Sequence, residues 1–227
     1  MKRKYITILI VITTILLQGC TESQIIKVEE KVSELTTQVF HDLISLDKTR
    51  WENIEEQAVE DILSTKAVEL IDDKEGYKEI IKSWGIKVNG VDLDNSNKVY
   101  TVGVKVMVND FIESIKELEL QIQNKDRALE LASLYIVDEE RFKNEMNRIA
   151  LMLSTKPKGM KFIFVEKDKE LYLDSINNLG YNFEEEYKTY LEKAEKIVGE
   201  YIDSLEDNPE YLEELSKLIN IEVENNK

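Results

Sequence analysis

The sequence predicts an α+β protein. N-terminal helices pack on a small curved antiparallel sheet of two hairpins, a helical insertion separates the hairpins, and a C-terminal helical hairpin follows. Three observations carry this expectation. Apolar residues recur at spacings of three and four over residues 28–43 and again over 183–219, the period of an amphipathic helix. Residues 98–108 instead alternate at a period of two, as a half-buried strand does. Only two prolines and eight glycines occur in 227 residues, so few breakers interrupt the helical stretches.

The elements follow in chain order. Ser23 to Leu46 reads as a first helix, with Val28, Val32, Leu35, Val39 and Leu43 on one stripe and Ser23 as its N-cap. Trp51 to Leu63 reads as a second helix and Lys66 to Ile71 as a short third. Lys74 to Trp84 is another, closed by Gly85, a residue that suits a helix C-terminus. Ile86 to Leu93 reads as a strand and Asp94-Asn95-Ser96-Asn97 as its turn. Lys98 to Val108 is the clearest strand. Tyr100, Val102, Val104, Val106 and Val108 share one face, so a slip of one residue would expose them all. Asn109 or Asp110 caps a helical region from Phe111 to about Tyr135, within which Glu117 to Gln123 also alternates like a strand. Asp138 caps a helix through Leu153, and Lys156-Pro157-Lys158-Gly159 stops it. Met160 to Glu166 and Glu170 to Asp174 form the second hairpin across Lys167-Asp168-Lys169, with Leu171 and Leu173 alternating against Tyr172. Asn182 and Glu185 make a capping box ahead of a stripe from Phe183 to Leu205, and Pro209 opens the last helix.

The N-terminus carries an address. Lys2, Arg3 and Lys4 precede an uncharged run of 13 residues, Tyr5 to Leu17. A membrane-spanning helix needs about 20 apolar residues, so this run has instead the length of a signal-peptide core. Leu17-Gln18-Gly19-Cys20 follows and resembles the lipobox of bacterial prolipoproteins. The resemblance implies that Leu17, Gln18 and Gly19 are read by the signal peptidase. The Cys20 sulfur would take a diacylglyceryl group and Cys20 would become the new N-terminus. Gln18 departs from the small or β-branched residue commoner at its position. Cys20 is the only cysteine, so the chain forms no internal disulfide. Two acyl chains anchor firmly where one anchors marginally. The expected location is therefore the outer, extracytoplasmic face of the cell membrane.

Two segments carry a second resemblance. Val106-Met107-Val108-Asn109-Asp110 ends a valine strand in a polar pair that opens a helical excursion. Phe164 to Asp174 crosses a Lys-Asp turn into a short aromatic strand that ends in Asp. Together with the element order, Lys98 to Asp110 and Lys158 to Asp174 resemble the NTF2-like (cystatin-like α+β) lipoproteins of Gram-positive bacteria, in which Trp often stands where Tyr172 does. The expected organisation is a leader over residues 1–19, a lipidated tether over 20–24, an NTF2-like domain over 25–181 with a helical insertion at 110–155, and an acidic extension over 182–227. Such a fold implies a conical apolar pocket, with Trp51, Trp84, Tyr100, Phe162, Phe164 and Tyr172 as candidate lining residues.

Composition narrows the function. The formal charge is −16, and loss of the three basic leader residues brings the mature chain to −19. Such a surface repels nucleic acid, whose binding rests on Lys and Arg, and it repels anionic headgroups. His41 is the sole histidine. With one helical His and a lipidated Cys, thiol–His catalysis and His-based zinc sites are excluded. No nucleophile-elbow, metalloprotease, P-loop or dinucleotide motif occurs. Asp92, Asp94 and Ser96 have calcium-loop spacing, but Asn97 and Gly103 stand where the glycine and the closing Glu belong, so a hairpin turn is the reading. No metal and no cofactor are expected. The chain is expected to be a non-enzymatic lipoprotein that binds a protein partner or a small apolar ligand. The alternatives are an accessory or protective lipoprotein of a mobile element or secretion system, and a hydrolase or isomerase with a carboxylate-only site.

Overall fold

The computed structural model describes residues 22–63, 75–94, 98–168, 170–178 and 181–225. The expected helix at Lys66–Ile71 lies outside them, as do the leader, Leu17, Gln18, Gly19 and Cys20. Eight α-helices and four strands are described: α1 (Glu22–Ile44), α2 (Glu56–Leu63), α3 (Glu75–Lys82), β1 (Gly85–Asp94), β2 (Val99–Asn109), α4 (Phe111–Ile122), α5 (Lys125–Val137), α6 (Glu139–Met152), β3 (Thr155–Lys167), β4 (Glu170–Asn177), α7 (Phe183–Ser204) and α8 (Pro209–Asn225). The strands form one open antiparallel sheet in the order β1-β2-β3-β4. The fold is α+β.

The chain divides into two compact units, one holding the described residues through Val108 with Pro157–Phe183, the other Asn109–Lys156 with Glu184–Lys227. The first is the sheet unit. Tyr100, Val102, Val104, Val106 and Val108 are all buried along one face of β2. Ile86 and Val88 of β1 stand opposite Val106 and Val104, and Val91 and Leu93 stand opposite Val102 and Tyr100. The apolar residues of β1 thus change parity midway. A register shift between Val88 and Gly90 makes Asn89 an extra residue, and this bulge returns Val91 and Leu93 to the core face. The same device recurs in β4. Leu171 and Leu173 stand opposite Glu166 and Phe164, Ile176 stands opposite Phe162, and Asp174 is the extra residue.

Helix α1 packs on β1. Its buried side chains include Val32, Thr36, Val39, Phe40, Leu43 and Ile44, and Phe40 meets Phe162 at 6.2 Å between ring centroids. Thr36 rather than Leu35 is the fully buried residue, and its hydroxyl donates back to the Val32 carbonyl at 2.7 Å. Trp51 to Glu55 is not helical as expected; α2 starts only at Glu56. Sheet pairing claims that segment instead. Ile54 bridges Leu173 in parallel, Glu55 N–H donates to the Leu173 carbonyl, and Leu173 N–H donates to the Asn53 carbonyl, both at 2.9 Å. Asp61 Oδ2 accepts from Ile176 N–H at 2.6 Å. The outer edge of β4 is thereby covered. Pro157 and Gly159, expected to stop a helix, lie inside β3. Pairing with β4 begins only at Lys161, so Pro157 sits where β3 is an edge on that side and its missing N–H costs no ladder bond there.

The second unit is helical, and it joins stretches that are far apart in the chain. The helical region from Phe111 is broken at Gln123–Asn124, where the Asn124 side chain caps α5 by accepting from Arg127 N–H at 3.0 Å. Asp110 and Asp138 cap α4 and α6 in the same way. Phe111 stacks on Tyr190 of α7 at 5.0 Å. Tyr190 Oη donates to the Met146 carbonyl at 2.7 Å, and Tyr187 Oη donates to Asn147 Oδ1 at 2.8 Å. On the far side α8 packs along α5, with Lys125 Nζ at 2.7 Å from Glu214 and above the Tyr211 ring. Arg127 pairs with both Glu130 and Glu145.

Two outcomes follow. Phe162→Ala removes a fully buried ring that touches α1, and it should cost about 3–5 kcal/mol of stability in denaturant unfolding. Burial also pushes the Tyr187 phenol up to about 12 and raises that of Tyr190. The folded state then holds these protons more tightly than the unfolded state does. Their contribution to stability is complete below the ordinary value of 10 and declines as pH rises from 10 toward 12. Far-ultraviolet circular dichroism across that window should show helix loss in step with phenolate absorbance.

Candidate functional site

An acid on the core parity of a strand is the first polar group to explain. Met160, Phe162 and Phe164 occupy successive inward positions of β3, and Glu166 takes the next. Its side chain is only 5% exposed. Lys98 Nζ donates to its carboxylate at 2.9 Å and Tyr100 Oη approaches it at 3.5 Å. The Glu166 N–H donates in turn to the Lys98 carbonyl at 3.1 Å. Lys98 holds a left-handed φ of 55°, which brings its backbone and side chain to the same acid. Burial, and after it the Glu166 carboxylate, pushes the Tyr100 phenol up to about 12. The phenol is therefore a neutral donor throughout the physiological range. Cation, acid and phenol form a clasp that ties the start of β2 to the end of β3.

A second polar centre closes α1. Asp42 is buried, and its carboxylate meets Arg50 at 2.5 Å and Gln38 at 3.2 Å. Its carbonyl accepts from Trp51 Nε1 at 2.9 Å and from Ser45 Oγ at 2.7 Å. Arg50 and Trp51 are placed by the short turn Lys48–Arg50, which Asp47 caps through Thr49 N–H. Asp42 thus holds the loop that leads on to α2.

The candidate lining residues distribute over several surroundings. Tyr100, Phe162 and Phe164 are fully buried on the core face of the sheet. Trp84 is buried with Phe183 and Tyr181, its ring 5.0 Å from that of Phe183. Trp51 is half-buried and serves Asp42. Tyr172 alternates with the buried Leu171 and Leu173, so it lies on the other face of the sheet, with Lys167 Nζ 5.7 Å above its ring. The structure therefore gathers Tyr100, Phe162 and Phe164 and sets Tyr172 apart. His41 is exposed beside Phe40.

Glu166 and Asp42 were not singled out from sequence. Glu166 had a legible signal, an ionisable side chain on the apolar parity of a strand. Asp42 had none, because Arg50 and Trp51, the partners that bury it, arrive only once α1 has ended. Among the described residues no three His, Cys, Asp or Glu side chains gather in a way that could hold a metal ion. Among them too, no helix is long and apolar enough to cross a membrane. On the helical unit Ile112, Leu120 and Met152 are exposed apolar side chains. Comparison of the chain with protein-family models, with curated proteins and with solved structures finds no match.

Glu166→Gln keeps the shape of the clasp and removes its charge. The Tyr100 titration should then fall from about 12 while burial holds it above 10. Absorbance titration of the variant against the parent reads this shift, and an unchanged Tyr100 titration would contradict the pairing.

Proposed function

We propose that this chain is a lipoprotein held on the outer face of the cell membrane by acyl chains on Cys20, with a non-enzymatic α+β body that binds a partner protein or a small apolar ligand. One observation carries the reading. A basic head, an uncharged run of 13 residues and Leu17-Gln18-Gly19-Cys20 stand in the order and at the spacing of a lipoprotein leader. The start of α1 at Glu22, two residues beyond the thiol, is consistent with a body that follows the anchor without a stalk. The polar centres favour binding over catalysis. Glu166 and Asp42 each commit their carboxylates to fixed partners, whereas a general acid or base needs reach to a substrate proton. The hairpin segments Lys98–Asp110 and Lys158–Asp174 are the grounds for taking the body as NTF2-like.

Cys20→Ala tests the anchor. Cells fed labelled palmitate should label the parent and not the variant, and the variant should move from the membrane to the soluble fraction. Label on the variant, or none on the parent, would overturn the reading.

A further inference from the structure

The two edges of the sheet differ. Residues 53–55 and Asp61 cover the outer backbone of β4. The other edge is β1, and among the described residues its outer backbone meets no other segment. A bare edge strand is a template for another strand. We propose that β1 is the two-fold contact of a homodimer, pairing antiparallel with β1 of a second copy about a point between Asn89 and Gly90. The inference is independent of the lipid anchor, because it rests on the pattern of β1 alone.

That pattern reads the same from both ends. From Ile86 to Leu93 the half-buried residues are Ile86, Val88, Val91 and Leu93, and the exposed ones are Lys87, Asn89, Gly90 and Asp92. Antiparallel self-pairing about the centre sets Ile86 against Leu93 of the second copy, Val88 against Val91, and Lys87 against Asp92. Paired residues must share a sheet face. In a regular strand residues five or seven apart would not. The bulge at Asn89 reverses the parity midway, so here they do. A two-fold contact repeats each pair, as an isologous interface requires.

Charge and shape agree with this register. Within the chain Lys87 stands opposite Lys105 and Asp92 opposite Thr101, so neither has an acid–base partner across β2. Opposite charges placed directly across two strands stabilise the pair and like charges weaken it. Self-pairing gives each Lys87 an Asp92 and each Asp92 a Lys87. At the centre, a Cβ added to Gly90 would meet nothing within 4 Å, and its backbone is not left-handed. The chain's own fold therefore does not require glycine there. A glycine inside a strand marks a bulge or the close approach of another backbone; Gly90 stands at the bulge, and the open space beside it leaves room for a second copy.

The test uses the full chain in density-matched detergent. Sedimentation equilibrium should show a reversible dimer. Carbodiimide treatment of mixed light and heavy isotope-labelled protein should join Lys87 of one copy to Asp92 of the other. K87D and D92K should each weaken the dimer about tenfold or more, since each replaces two attractive pairs by two repulsive ones. The double reversal K87D/D92K should restore it, and all three variants should keep the parent circular dichroism spectrum because both side chains are exposed. A monomeric parent, a dimer indifferent to single reversal, or no rescue by the double reversal would overturn the proposal.

Discussion

The sheet unit depends on one constraint, the period of two along β2. Five inward residues from Tyr100 to Val108 are buried without interruption, so every neighbouring strand must present its apolar side chains in step with them. β1 and β4 each fall out of step once. Each recovers by carrying one residue more than its partner, Asn89 in β1 and Asp174 in β4. Such an insertion sacrifices a little regular pairing and keeps Ile86, Val88, Val91 and Leu93 of β1, and Leu171, Leu173 and Ile176 of β4, on the core face.

Much of this was legible in the sequence, and the exceptions share a cause. The alternation of β2, the caps at Asp110 and Asp138 and the stripe of α7 depend on residues within a few positions of one another. Local periodicity finds them. The non-helical stretch 51–55 was missed because its competitor is Leu173, whose backbone lies far along the chain. Pro157 was read as a stop because sequence does not show where β4 ends. The parity change between Val88 and Val91 was visible as a pattern, but its meaning needs the straight row of valines beside it. Of the polar centres, Glu166 betrayed itself by parity and Asp42 did not.

The helical unit shows the same limit at larger scale. Local signals located its helices but could not say that residues 109–156 and 184–227 belong together. The assembly is written in side chains that are individually ordinary. Phe111 finds Tyr190, Tyr187 finds Asn147, and Lys125 finds Glu214. Each buried polar atom in these contacts gains a partner, so burial does not leave it unsatisfied.

The position of the helical insert has a kinetic meaning. β2 ends at Asn109, yet the strand that must lie beside it begins only at Thr155. In a chain that emerges from its N-terminus, the first hairpin waits with an open flank while three helices form. Joining the hairpins is then a long-range closure. Its entropic penalty grows only slowly with the length of the insert, but high sequence separation between contacts slows folding strongly. Pairing β2 with β3 across the insert is thus the slow closure that this chain order imposes on the sheet.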